Sequence, residues 1–235
     1  MSQYDAVIIG AGVVGLSAGL VCAQQGLNVA IVEAHAPLPW QADKPDLRVY
    51  ALALDNQNLL EQLGVWPDIK AKHVNPYKTM TVFDEVSGKP LQFNASELGR
   101  NTLGYIVEHN LIVDALWRAV LQNKSITLIG ADGARSKVRE LLGIESNAHD
   151  YQQKGLVAFI KTELSHQDTA WQRFLSTGPL AFLPYSENVC SIVWTLPNER
   201  ADELLHVDAE SFCRALDSAF GGTLGKTELI SERAA

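Results

Sequence analysis

Residues 4–33 read YDAVIIGAGVVGLSAGLVCAQQGLNVAIVE and contain three apolar runs separated by glycines. Apolar residues with a period of two predict a buried strand at Tyr4–Ile9, and a period of 3.6 predicts a helix from Val13 to Gln25. The next apolar run, Asn28–Val32, predicts a second strand. A strand, a helix and a strand in this order are typical of the βαβ unit that binds dinucleotides.

The turn between the first strand and the helix has the spacing G-x-G-x-x-G at Gly10, Gly12 and Gly15. In such a turn the first glycine permits the sharp bend, the second lets a pyrophosphate approach the backbone, and the third lets the helix pack on the sheet. Glu33 ends the second strand, 21 residues beyond Gly12. A carboxylate there accepts ribose hydroxyls and repels a 2′-phosphate, which favours FAD or NAD over NADP.

The run from Ala6 to Ala23 is apolar enough to resemble a membrane span or a signal peptide. The flank before it carries Asp5 and no Lys or Arg, and four glycines interrupt the run. Because a signal peptide needs a positive flank, we interpret the run as part of the nucleotide-binding unit.

The composition of the 235-residue chain, with 47% hydrophobic and 20% charged residues, predicts a globular protein. A net charge of −8 argues against nucleic-acid binding, which needs a surplus of Lys and Arg. The three cysteines form no metal-ligand spacing and indicate a reducing compartment, so we expect a cytoplasmic protein without a metal site.

Two further segments carry candidate ligands. Arg48 begins a predicted strand, where it could reach a phosphate or a flavin edge, or remain a solvated charge. In SITLIGADGARSKVRELLG, at residues 125–143, Asp132 stands between glycines after an apolar strand. That acid is well placed to meet a ligand at the edge of a parallel sheet. Taken alone, an Asp-Gly turn that caps a helix is the more common explanation, and the ligand role gains weight only beside the N-terminal glycine motif.

After Asp150 short strand-like runs alternate with turns, which predicts an antiparallel sheet, and Asp208 is expected to cap a helix that ends at Phe220. We predict that the aromatic side chains of this sheet lie in its core; they are Trp171, Phe174, Phe182 and Trp194. The predicted fold class is α/β, with a Rossmann-like domain at residues 1–75 and 100–150 interleaved with an antiparallel-sheet domain at 76–99 and 151–235. The family resemblance given next implies that the first is the FAD-binding domain and the second the substrate domain.

Four segments together resemble the ubiquinone-biosynthesis hydroxylases, which are flavoprotein monooxygenases of the p-hydroxybenzoate hydroxylase class. They are LRVYALALDNQNLLEQLGVW, LGYIVEHN, IGADGARSKVR and LAFLPYSENVCSIVW. The resemblance covers nearly the whole chain and is strongest to the branch that hydroxylates octaprenylphenols, with the later benzoquinol hydroxylases close behind.

The resemblance implies that Gly10, Gly12 and Gly15 hold the FAD pyrophosphate and that Glu33 holds the adenosine ribose. It also places four further residues at the cofactor: Arg48 near the pyrophosphate, Glu108 at a position where relatives often carry Gln or Arg, Asp132 in the DG motif, and Arg139 in support of that loop.

The implied chemistry is hydroxylation of a polyprenyl phenol with FAD, NAD(P)H and dioxygen. The flavin carries the redox chemistry, and the protein orients the ring and excludes water. No residue is identified as the general base. A polyprenyl tail implies an apolar channel or a partner among the other ubiquinone-biosynthesis proteins, and leaves peripheral contact with the inner membrane open.

The sequence departs from this family in two respects. No second FAD motif, a Gly-Asp followed by a loop rich in His, Pro and Gly, precedes Ala235, and Ile126–Leu128 runs directly into Ile129–Gly133 where the family has a β-rich excursion. We therefore expect a truncated form that lacks an internal segment. Two alternatives to the hydroxylase remain: an NAD-dependent dehydrogenase, or a non-catalytic nucleotide-binding or scaffold subunit.

Overall fold

The computed structural model describes residues 3–85, 88–130 and 151–235. Its helices are α1 (Val13–Gln24), α2 (Leu54–Gln62), α3 (Trp66–Lys72), α4 (His109–Gln122), α5 (Asn198–His206) and α6 (Ala209–Phe220). Its strands are β1 (Ala6–Ile9), β2 (Val29–Glu33), β3 (Val49–Ala53), β4 (Asn75–Tyr77), β5 (Thr79–Asp84), β6 (Leu91–Asn94), β7 (Gly104–Glu108), β8 (Ile126–Gly130), β9 (Gln153–Thr162), β10 (Thr169–Leu175), β11 (Gly178–Ser186), β12 (Val189–Pro197) and β13 (Thr227–Leu229).

The described residues form two compact units, and the first comprises residues 3–46, 55–73 and 108–130. It contains a parallel sheet in the order β1–β2–β8, in which Ile31 lies between Ile8 and Leu128. Helix α1 packs on the face that carries Ile8 and Ile31, because a side chain at Gly19 would meet both of them. Side chains alternate along a strand, so Val7 and Ile9 belong to the opposite face.

That opposite face is largely open among the described residues. Val7 is 62% exposed, Ile9 51% and Ile129 41%, although all three are large apolar side chains of a parallel sheet. Parallel sheets are normally covered on both faces. The described part of the first unit therefore has an apolar core on one side of its sheet only.

The predicted βαβ unit is confirmed, and its boundaries shift by no more than two residues. The structure also shows that Ile126–Leu128 continues directly into the next residues, since β8 is one continuous strand that ends at Gly130. The rest of the GADG segment, with Asp132 and Arg139, lies outside the described residues.

The second unit comprises residues 47–54, 74–85, 88–107 and 151–235. Its larger sheet has the order β13–β9–β12–β11–β10–β5–β6, antiparallel throughout except for the parallel pair β10–β5. Phe182 on β11 stacks on Phe220 of α6, with ring centroids 3.8 Å apart. A smaller sheet in the order β3–β7–β4 contributes Val49, Tyr77 and Ile106 to a second cluster.

The predicted antiparallel sheet is confirmed in this unit, with the β10–β5 pair as the exception. Asp208 caps α6 as expected, since its Oδ1 accepts a hydrogen bond of 2.8 Å from the Ser211 N–H. The prediction that all four aromatic residues are buried is wrong for Phe174, which is 49% exposed. Phe174 lies near the end of β10 on the face opposite Trp171 and Arg173, where no helix covers it among the described residues.

The division into two interleaved units is a property of the fold. The assignment of one unit to FAD and of the other to substrate remains a prediction. No helix in the described ranges is both long enough and apolar enough to cross a membrane.

Candidate dinucleotide site

The glycine turn after β1 has the backbone geometry that its sequence predicts. Gly10 has a φ of +98°, a backbone conformation that residues other than glycine rarely adopt. A Cβ at Gly15 would collide with the carbonyl oxygen of Gly10, so α1 can approach the strand only if Gly15 has no side chain. Both glycines are therefore required by the turn itself, before any ligand is considered.

Gly12 differs from these two because nothing lies within 4 Å of a Cβ built on it. It is the N-cap of α1, and no side chain caps the helix there. The first turn carries no acidic residue. The N-cap residue therefore offers no side-chain acceptor to the first N–H groups of α1, and a helix N-terminus attracts phosphate. This arrangement fits the pyrophosphate of a dinucleotide such as FAD.

Glu33 lies beside this turn and is hydrogen-bonded to it. Its Oε2 accepts a hydrogen bond of 2.6 Å from the Ala11 N–H, and its Oε1 accepts one of 2.8 Å from the Ala34 N–H. Oε1 also accepts a long hydrogen bond of 3.5 Å from the His35 N–H. Each carboxylate oxygen has two lone pairs, so Oε2 retains capacity for a ribose hydroxyl. The structure brings the predicted acid and the predicted glycines together, and it adds the backbone of Ala11, which the sequence analysis did not identify.

Glu108 is placed differently. It is 1% exposed and occupies the N-cap position of α4, yet its side chain makes no capping bond to that helix. Its Oε2 accepts hydrogen bonds from Trp40 Nε1 at 3.2 Å and from the Asp46 N–H at 2.9 Å. Its Oε1 lies 3.4 Å from Nδ1 of His73. We call Glu108, Trp40, Asp46 and His73 the Glu108 cluster.

The neighbouring Lys72 also contacts Trp40, through a cation–π interaction. Lys72 Nζ lies 5.1 Å from the centroid of the Trp40 ring and 3.1 Å from Asp114 Oδ2 on α4. Sequence reasoning missed Trp40, Lys72 and His73. A tryptophan within a polar, proline-rich loop was the one available signal, because exposed loops seldom retain a large aromatic residue without a packing partner.

The three remaining predicted ligands lie outside the described part of the first unit. Arg48 is exposed and lies just before β3 in the second unit. Asp132 and Arg139 lie outside the described residues. Within the described ranges, no group of three or more His, Cys, Asp or Glu side chains could hold a metal ion.

Comparison with known proteins agrees with this geometry. Residues 5–44 match the DAO family of FAD-dependent oxidoreductases. The 3-demethoxyubiquinol 3-hydroxylase of Escherichia coli is 30% identical, over 94% of this chain and 64% of its own length. The ubiquinone biosynthesis monooxygenase COQ6 of Xenopus tropicalis is 31% identical, over 97% of this chain and 59% of its own length.

The chain is a homologue of the ubiquinone-biosynthesis hydroxylases. The resemblance inferred from the sequence is thus confirmed, and so is the expectation of an FAD-dependent family. Among solved structures, PqsL of Pseudomonas aeruginosa, described as a probable FAD-dependent monooxygenase, superimposes with a TM-score of 0.70 at 19% identity. The superposition covers 97% of this chain and 73% of PqsL, which supports the predicted α/β fold class.

The hydroxylases that the chain matches are longer than the chain itself. It spans 64% of the E. coli protein and 59% of the X. tropicalis protein. The two alignments extend over 253 and 277 residues, more than the 235 residues of this chain. These hydroxylases therefore contain residues inside the aligned region that have no counterpart here, as expected if an internal segment is missing.

Proposed function

We propose that the chain binds FAD at the glycine turn and serves as a hydroxylase of polyprenyl phenols in ubiquinone biosynthesis, with NAD(P)H as reductant and dioxygen as the oxygen source. The observation that carries the cofactor assignment is the bond between Glu33 and the Ala11 N–H. It joins a carboxylate suited to a ribose to the turn at the N-terminus of α1, where a pyrophosphate would bind.

In this proposal the residues of the first unit bind and orient the adenosine half of FAD. Gly12 leaves room for the phosphates, Gly10 and Gly15 shape the turn, and Glu33 accepts ribose hydroxyls. Bound FAD would supply the redox chemistry with NAD(P)H and dioxygen. We retain Arg48, Asp132 and Arg139 as proposed cofactor contacts on the strength of the family resemblance.

The substrate class rests on relatives alone. The two relatives described above are named as a demethoxyubiquinol hydroxylase and a ubiquinone biosynthesis monooxygenase. A phenolic ring with a polyprenyl tail is the chemistry common to such intermediates. We further propose peripheral contact with the inner membrane and with other ubiquinone-biosynthesis proteins, because such a substrate resides in lipid.

Titration of the purified chain with FAD tests the cofactor assignment. We expect a bound flavin with an altered absorbance spectrum, and Glu33→Ala should weaken binding on the order of tenfold or more because the proposed acceptor of the ribose hydroxyls is lost. Glu61→Gln, an exposed carboxylate on α2, is the control and should bind as the parent does. Equal affinity in Glu33→Ala and Glu61→Gln would contradict the assignment.

A second measurement separates the hydroxylase from the alternative of a nucleotide-binding subunit. The FAD-loaded chain is mixed with NADH or NADPH, a short-chain polyprenyl phenol and dioxygen, and the products are analysed by mass spectrometry. Addition of one oxygen atom supports the hydroxylase. Retention of FAD without turnover favours the non-catalytic subunit, for which the residues missing within the aligned region already argue.

A further inference from the structure

The geometry points to Glu108 as a positioning residue for the FAD site, which acts by fixing the loop of residues 34–46 and makes no contact with the cofactor. The expected effect on FAD affinity rests on the proposed function, whereas the contacts between Glu108 and the loop do not. It replaces the direct cofactor contact that the family resemblance implied for Glu108.

The side chain of Glu108 has little capacity left for a ligand. Oε2 already accepts two hydrogen bonds, from Trp40 and from the Asp46 N–H, and Oε1 faces His73. With 1% of the residue exposed, the carboxylate is shielded from water. A buried carboxylate is tolerated only when its oxygens are paired, and here the partners come from within the first unit.

These partners have a particular distribution along the chain. Trp40 and Asp46 belong to the loop that follows β2, at separations of 68 and 62 residues from Glu108. His73 directly follows α3. Glu108 itself is the N-cap residue of α4. Its hydrogen bonds therefore attach the loop of residues 34–46, which has no helix or strand, to the start of a helix.

The loop matters because of what adjoins it. Glu33 immediately precedes residue 34, and Arg48 lies two residues beyond Asp46. Both are proposed ligands, at opposite ends of a segment without helix or strand. Contacts at Trp40 and Asp46 reduce the conformations that the segment can adopt before the cofactor arrives, and preorganisation of this kind increases affinity.

The test uses the whole chain and two readouts. Hydrogen exchange of the peptide covering residues 34–46 is measured without FAD, and FAD affinity is measured by flavin fluorescence. We expect Glu108→Ala to accelerate exchange in this peptide and to raise the Kd for FAD on the order of tenfold. Glu61→Gln should change neither quantity.

A double-mutant cycle with Trp40→Phe distinguishes positioning from contact. If Glu108 acts through the loop, Trp40→Phe also raises the Kd, and the two substitutions together raise it by less than the product of their separate effects. A raised Kd in Glu108→Ala with unchanged exchange would mean direct contact with the cofactor and would overturn the proposal. Should Glu108→Ala fail to fold, Glu108→Gln and Trp40→Phe carry the same comparison.

Failure of the proposed function has a separate signature. If the parent chain binds no FAD, the cofactor assignment is wrong, while exchange at residues 34–46 still decides whether Glu108 fixes the loop. Unchanged exchange in all the folded variants refutes the positioning role, whatever the affinity for FAD.

Discussion

The two sheets of this protein differ in how their faces are covered. The parallel sheet of the first unit packs against α1 on one side and exposes Val7, Ile9 and Ile129 on the other. The larger sheet of the second unit packs one face against α5 and α6, where Phe182 and Phe220 are both buried. The difference indicates that, among the described residues, the larger sheet of the second unit contributes more apolar burial than the parallel sheet does.

The largest effect is expected from Phe182→Ala in the second unit. Phe182 is fully buried, so its removal leaves a cavity and should lower the free energy of unfolding by about 3–5 kcal/mol. Phe174→Ala is a matched control on the neighbouring strand, and at 49% exposure it should cost far less. Urea unfolding followed by tryptophan fluorescence measures both. Equal losses would mean that the two faces of this sheet are covered alike.

The glycine turn gives the next effect. Gly15→Ala forces a methyl group onto the Gly10 carbonyl and should destabilise the first unit by about 1–3 kcal/mol, with loss of FAD binding. Gly12→Ala meets open space and has an ordinary φ of −74°, so stability should be unchanged while FAD affinity falls. Thermal unfolding and FAD titration of the pair separate fold from binding. The interpretation of Gly12 fails if its variant binds FAD normally.

A pH effect is expected from the second unit. His166 is 3% exposed, and its Nδ1 accepts a hydrogen bond of 3.1 Å from the Asp168 N–H. Burial lowers the pKa of His166, while the charge of Asp168 and the backbone of Ser186 oppose that shift. Because the unfolded chain then binds the proton more tightly, stability is highest above the unfolded pKa of about 6.5 and falls as the pH drops through the lower folded value.

Urea unfolding between pH 7.5 and pH 5 checks this prediction. In His166→Asn an amide oxygen can still accept from Asp168 but cannot titrate, so its stability should vary less across the same interval. If parent and variant lose stability in parallel, the pH dependence comes from other groups.

The smallest effect should come from the open face of the parallel sheet. Val7→Thr preserves side-chain shape at a position that is 62% exposed, and we expect a change below about 0.5 kcal/mol. Ile31→Val, on the covered face of the adjacent strand, should cost about 0.5–1.5 kcal/mol. Reversal of this order in urea unfolding would show that Val7 is buried in solution.

The sequence predicted those elements whose geometry is determined by residues close together in the chain. The spacing of Gly10, Gly12 and Gly15 predicted the turn, because steric exclusion there involves residues five positions apart at most. Asp208 predicted the start of α6 for the same reason, since its partner Ser211 is three residues away.

Long-range pairing could not be predicted in this way. The partners of Glu108 lie 62 and 68 residues away, so no local pattern distinguishes this paired carboxylate from a cofactor ligand. The strand β3 was predicted, but its pairing with β7, and that of β7 with β4, joins segments far apart in the sequence. Helices α3 and α5 were not predicted; α3 has seven residues, about two turns, which is too short for a clear periodic pattern.

The parallel pair β5–β10 has a consequence for the order of synthesis. Thr79 pairs with Thr169 and Asp84 with Phe174, so β5 has its β10 neighbour only after about 90 further residues have left the ribosome. At about 5–20 residues per second, one edge of the β5–β6 hairpin remains open for several seconds. Leu91 and Phe93 are exposed even in the folded chain, so during synthesis this hairpin combines an unpaired strand edge with exposed apolar side chains, a combination that favours aggregation.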